Sequence, residues 1–115
     1  MRWGFGDGEV GNPPYNTQTY FLIANSTAAA ASVRVTLLFD DNSAAVAKTF
    51  TVPANSRFNV PVGPEFPTAA GKGFGAVIES LGATPVPIIV ERAMYSDAEG
   101  IVWAAGTDAL GTPIP

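Results

Sequence analysis

The chain has no cysteine and no histidine. Without cysteine there are no disulfides, thiolate metal sites or thiol nucleophiles, and the compartment stays open because many bacterial surface proteins also lack it. Without histidine there is no Ser-His-Asp triad, no Cys-His pair and no imidazole metal site. Charge is scarce too: Asp, Glu, Lys and Arg make up 14% of the 115 residues, against about 25% in an average protein. The six cations, Arg2, Arg34, Lys48, Arg57, Lys72 and Arg92, are scattered, and the formal net charge is −4. No basic stripe forms, which argues against nucleic acid or an anionic membrane surface as partner. No apolar run is long enough to span a bilayer, so membrane insertion is not expected. Met1-Arg2-Trp3-Gly4 has no signal-peptide character and opens directly onto a turn-rich segment, so Met1 reads as a boundary residue.

What the chain does have is 47% apolar residues together with 12 Gly and 10 Pro. That combination describes a turn-rich β protein with a core and a surface of Thr, Ser, Asn and Ala. Its length fits one domain, residues 1–115, large enough to bury a core without staples.

Strand signals recur along the chain, whereas helical periodicity is not sustained anywhere. Residues 18–24 (QTYFLIA) are rich in aromatic and β-branched side chains and end at the turn Asn25-Ser26-Thr27. From Ser32 to Phe39 the pattern alternates, with Val33, Val35, Leu37 and Phe39 on one face. Asp40 to Ser43 turns, and residues 45–52 return as a strand. After Pro53 to Ser56, residues 57–62 form another strand with Phe58, Val60 and Val62 facing in. The Pro- and Gly-containing stretch 63–72 predicts a long connection, of the kind that carries a Greek-key crossing between sheets. Residues 74–81 and 86–95 predict two more strands, 96–100 a tight turn and 101–105 a short last strand. Trp3 to Phe5 adds an edge strand. Short strands with turns every few residues predict an all-β fold: a two-sheet antiparallel β-sandwich, immunoglobulin-like, with about seven to eight strands.

Few groups remain that could carry chemistry. Glu79 and Glu91, on consecutive strands, are the one candidate carboxylate pair for a hydrolase. The structural reading sets Arg57 or Arg92 against Glu79 or Glu91 in a cross-strand ion-pair network, because one of the adjacent Glu91 and Arg92 must point inward and a buried charge needs a partner. Gly71-Lys72-Gly73 lacks the following helix of an anion loop and reads as a strand entry. Asp40, Asp41 and Asn42 cluster oxygen ligands on one turn, a calcium candidate without the spacing of an EF-hand; Asp7-Gly8-Glu9 is a second. No other cofactor is expected. For ligand or interface contacts the candidates are the aromatic side chains Trp3, Phe5, Tyr15, Tyr20, Tyr95 and Trp103, since an exposed ring stacks on a sugar or anchors an interface. The alternative for Trp3 and Trp103 is closure of the sandwich ends. Asn25-Ser26-Thr27 also matches the N-glycosylation pattern, with the strand-end turn as the competing reading.

Several segments form an ordered series: Trp3 to Glu9 (WGFGDGE), Thr19 to Asn25 (TYFLIAN), Val33 to Leu38, Phe50 to Val60 (FTVPANSRFNV) and Pro87 to Tyr95 (PIIVERAMY). In this it resembles the β-sandwich units repeated in tandem in large secreted or cell-surface bacterial proteins of unknown function. The resemblance implies an extracellular or cell-surface location. It also implies one unit of an array whose Gly111-Thr112-Pro113-Ile114-Pro115 ending meets the next unit's Arg2-Trp3 opening, with neighbouring copies as partners. Asn25-Ser26 departs from the Asn-Pro common in such units. The expected role is a structural or adhesive module, a spacer or stalk, and not an enzyme. The alternatives are a glycan- or calcium-dependent binding module, or a subunit that stacks end to end through Trp3, Phe5 and the Pro-rich tail. A glycan or a surface protein is the expected external partner.

Overall fold

The structure, a computed structural model, describes residues 1–11, 16–98 and 101–114; of 97, 98 and 101–108 it describes the backbone alone. The chain forms the antiparallel two-sheet sandwich that the sequence predicts. Among the described residues there are nine strands: β1 (Arg2–Glu9), β2 (Gln18–Asn25), β3 (Ala31–Phe39), β4 (Val46–Val52), β5 (Ser56–Pro61), β6 (Gly73–Ser80), β7 (Ile89–Ala98), β8 (Ile101–Leu110) and β9 (Thr112–Ile114). One sheet has the order β4-β3-β6-β1-β9, the other β5-β2-β7-β8.

Alternation drives the packing. In β2, Phe21 and Ile23 are fully buried, as are Val33, Val35 and Leu37 in β3 and Ile78 in β6. Each such side chain contributes roughly 1.5–3 kcal/mol through removal from water. Phe5 and Phe21 meet across the two sheets at 5.3 Å between ring centroids. The long connection after β5 crosses between the sheets as expected, through a four-residue helix, α1 (Val62–Glu65), and a 3-10 turn at Pro67–Ala69.

Three boundaries differ from the sequence reading. β7 starts at Ile89, with Ile88 buried before it, because Pro85 and Pro87 keep the chain out of the ladder. β7 runs on to Ala98, into the expected turn at 96–100, and β8 runs from Ile101 to Leu110, well beyond 105. β1 is not an edge strand: β6 pairs with one side of it and β9 with the other.

Beyond Gly4, where the pairing with β9 ends, side chains of the other sheet reach the β1 backbone. Thr19 Oγ1 donates to the Glu9 carbonyl at 2.7 Å and accepts from the Glu9 amide at 3.1 Å. Arg92 donates to the Asp7 carbonyl. On the opposite edge, Lys48 of β4 lies over the Phe50 ring and pairs with Glu65 of α1. Such devices keep an exposed strand from recruiting another chain. β1 carries a register shift between Phe5 and Gly8. A Cβ on Gly8 would lie 2.3 Å from the Phe74 ring, so only glycine fits there.

The chain changes sheets a last time at Gly111, the single residue between β8 and β9. β9 then lies along β1, with Ile114 opposite Arg2.

Candidate functional site

The two outer faces of the sandwich differ in chemistry. On the five-stranded sheet, Ser32, Arg34 and Thr36 of β3 lie opposite Thr51, Thr49 and Ala47 of β4. Arg34 gives two hydrogen bonds to Glu79 Oε1, at 3.0 and 2.7 Å. That face is threonine-rich and ion-paired, with Leu38 as its exposed aliphatic residue.

The four-stranded sheet carries aromatic and aliphatic side chains outside as well as inside, set among Gln18, Arg57, Asn59 and Glu91. Register places Tyr20 between Pro61 and Ala93, Leu22 between Asn59 and Glu91, Ala24 between Arg57 and Ile89, and Tyr95 beside Gln18. Leu110 of β8 extends the Leu22 row past Glu91. Ile89 is 55% exposed and Leu110 68%. Tyr20, Leu22, Asn59, Ala93 and Tyr95 line a shallow depression of about 350 Å³. The Tyr20 and Tyr95 rings meet there edge to face, 5.9 Å between centroids and 69° between planes. Desolvation by the surrounding side chains, with repulsion from the neighbouring Tyr95 phenolate second, raises the Tyr20 pKa above the ordinary phenol value.

A larger hollow, about 500 Å³, lies at the end of the same sheet between Ala24, Asn25, Ser26, Asn55, Ser56 and Arg57. Its Asn25 side chain is committed elsewhere. Asn25 is 1% exposed. Its Nδ2 donates to the carbonyls of Ala29, Val52 and Pro53 at 2.8, 3.3 and 3.2 Å, and its Oδ1 accepts from the amide and hydroxyl of Thr27. Thus the Asn25-Ser26-Thr27 triplet is the strand-end turn, and the nitrogen a glycan would need is buried and bonded.

The other sequence candidates separate. Phe5 belongs to the core at 8% exposure, so it is not available to a ligand. Trp3 packs against the core and donates its indole N–H to the Ile88 carbonyl at 3.0 Å. It closes the sandwich, as its alternative reading has it. Tyr15 and the Trp103 side chain lie outside the described residues.

The four charged residues expected in one network do not form it. Glu79 is in the five-stranded sheet and pairs with Arg34. Arg57 and Glu91 are on the outer face of the other sheet, on β5 and β7. Arg92 is the inward member of its pair: it aligns with buried Phe21, and its Nε is buried without a partner among the described residues. The reason is the Leu81–Ile88 connection, which carries the chain from one sheet to the other. For the same reason Glu79 and Glu91 are on opposite outer faces and do not make a carboxylate pair.

Asp40, Asp41 and Asn42 form the β3–β4 turn, with Asn42 in the left-handed region at φ 65°. Asp41 accepts from the Ser43 amide at 2.9 Å and from the Ser43 hydroxyl, and lies 3.6 Å from Lys72 Nζ. These Ser43 bonds first, and the Lys72 charge after them, lower the Asp41 pKa. Among the described residues no three acids come together in a metal-holding group, and no helix is long and apolar enough to cross a membrane.

The fold and the two-faced surface define a class: a small antiparallel β-sandwich with one polar and one aromatic-aliphatic outer face. Known structures are similar to this chain in fold. The crystal structure of Thermotoga maritima 1070 matches with a TM-score of 0.79 over 96% of this chain and 91% of that one, at 17% identity. The Anabaena sensory rhodopsin transducer matches with a TM-score of 0.62 over 78% of this chain and 90% of that one, at 26% identity. No family model and no curated protein matches the chain.

Proposed function

We propose that this domain is a non-catalytic recognition module, an adhesive unit of a bacterial extracellular or cell-surface protein, and that it binds through the outer face of the four-stranded sheet. One observation carries the reading: Ile89, Leu110 and the Tyr20–Tyr95 pair share a single sheet face, while the opposite face is Thr-rich and ion-paired. Aromatic and aliphatic side chains gathered on one face mark a contact surface. Adhesion is favoured over a pure spacer role, because a spacer needs no apolar outer face. A protein partner is the second form of the same reading. The Anabaena protein of similar fold is by name a sensory rhodopsin transducer, and a face of this composition suits contact with another protein.

The test is retention of domain-coated beads on an array of glycans and peptides. Binding that is lost with Leu22→Asp and with Tyr95→Ser, and kept with Arg34→Ala on the opposite face, supports the reading. Equal binding by all variants, or no binding by the parent anywhere on the array, overturns it.

A further inference from the structure

Resting on that reading, we infer that the ligand of this face is an extended, proline-containing peptide with a basic side chain. Area decides the size of the occupant. β7 and β8, with ten residues each, run about 34 Å, and four strands span about 19 Å, which gives a face of about 650 Å² at most. A stable pair of proteins buries about 800 Å² on each side. The face is too small to hold a second copy by itself and matches a short chain segment.

The side chains decide between a sugar and a peptide. A sugar ring stacks on a flat aromatic platform and presents hydroxyls around its rim. Here Tyr20 and Tyr95 meet edge to face, which makes an angular notch instead of a platform. Leu22 and Ala93 form its floor, and Ile89 and Leu110 continue the aliphatic surface. Pyrrolidine rings and aliphatic side chains fill such a surface; hydroxyls do not. A polyproline II segment repeats every three residues, about 9 Å, close to the roughly 10 Å between β5 and β7, two strand spacings apart. Its carbonyls are solvated and point outward, where the exposed Asn59 amide on β5 can donate to one. Glu91 on β7 lies one row from Ala93 and opposes Leu22 and Leu110, while Arg57 is in the next row on the far strand β5, so a basic residue of the peptide meets Glu91 on the Leu110 side, away from Arg57. Such a segment is already extended before binding, which lowers the entropic cost of docking on a shallow face.

The experiment is an amide-resonance titration of the full chain with three probes. They are a proline-rich peptide of about ten residues carrying one arginine, the same peptide with glutamate in place of arginine, and maltohexaose. The arginine peptide is expected to shift resonances of β2, β5 and β7 on the Tyr20 face. The glutamate peptide should bind at least about tenfold more weakly, a difference of about 1.4 kcal/mol. Glu91→Gln should remove most of that difference, and Asn59→Ala should weaken binding several-fold. Both replace surface groups and leave the core intact, and thermal melts verify that the variants fold. Shifts with maltohexaose and none with either peptide overturn the peptide inference and keep the recognition face. Shifts that grow with protein concentration alone assign the face to a second copy and overturn it as well. If no probe moves the face and the beads bind regardless of Leu22→Asp, both readings fall.

Discussion

Asn25 offers the sharpest test of how this sandwich is held together. Replacing it with alanine leaves the β2 strand intact and removes both polar atoms of a side chain that is 1% exposed. Its amide is shared among the carbonyls of Ala29, Val52 and Pro53, and its oxygen serves two donors of Thr27. A net protein hydrogen bond contributes about 1 kcal/mol, and a buried group stripped of its partner costs about 1–3 kcal/mol. Some of the freed groups at the sandwich end reach water, so the expected loss is about 3–4 kcal/mol, a large share of the 5–15 kcal/mol typical of a domain. With an unfolding entropy of about 2.1 cal/mol/K per residue, this lowers the melting temperature by about 12–17 °C. Urea unfolding followed by circular dichroism gives the free energy directly.

Asn25→Asp adds a second arm. Aspartate keeps the acceptor for Thr27 and sets a negative charge against three carbonyls. Burial raises the folded-state pKa of that carboxyl above the unfolded value of about 3.9. The group's contribution is then most favourable at acid pH and is lost as pH rises through the folded pKa. Relative to the parent, the variant should therefore regain stability as pH is lowered from neutral towards 4. A cost below about 1 kcal/mol for Asn25→Ala, or an Asn25→Asp deficit that does not change with pH, would refute the anchor role.

Other perturbations address separate parts of the molecule. Gly111→Ala should destabilise by about 1–3 kcal/mol, since its Cβ would lie 2.8 Å from Phe5 Cζ and 3.2 Å from Trp3 Cβ; a melt unchanged from the parent would show that β9 is not seated on β1. Tyrosinate absorbance should reveal a phenol titrating above the ordinary value of about 10 that vanishes in Tyr20→Phe. Its raised pKa leaves stability intact below pH about 10 and erodes it as pH climbs through the folded value; a curve unchanged by Tyr20→Phe would contradict this. Melts with calcium and with chelator should coincide, because Ser43 and Lys72 already engage Asp41; a calcium-dependent rise that disappears in Asp41→Asn would place an ion on the 40–42 turn.

Strands with strong alternation are legible in the amino-acid order itself. β2, β3 and β5 begin and end within a residue or two of the expected bounds, because their inward Phe, Ile, Val and Leu residues leave one register that buries them. The second half of β8 is not legible in this way. Gly106 to Leu110 has no β-branched residue besides Thr107, and its extended form comes from pairing with β7, a tertiary effect. β9 is hidden for a related reason: a Pro-containing tail reads as loop until β1 is known to offer it an edge. At the candidate site, Tyr20 and Tyr95 stand out singly. Their pairing depends on β2 and β7 being neighbours, and residues 75 positions apart carry no periodicity to announce that. Without the sheet order Glu79 cannot be matched to its partner across the β3–β6 ladder, which is Arg34. Asn25 reads as a surface turn residue because two of its three carbonyl partners, Val52 and Pro53, are distant in sequence.

The β1–β9 ladder also sets how the domain responds to force. Arg2 and Ile114 face each other across three residue pairs, one of them through Pro113, which has no N–H to give. Tension applied between the two ends acts across that ladder and peels it one pair at a time, as a zipper opens, without loading many bonds in shear. Arg2 and Ile114 are a paired couple of that ladder, so the points where the force is applied are close together while the domain is folded. A short pull first releases β9 and uncovers the Trp3 edge, long before the core between the sheets bears any load.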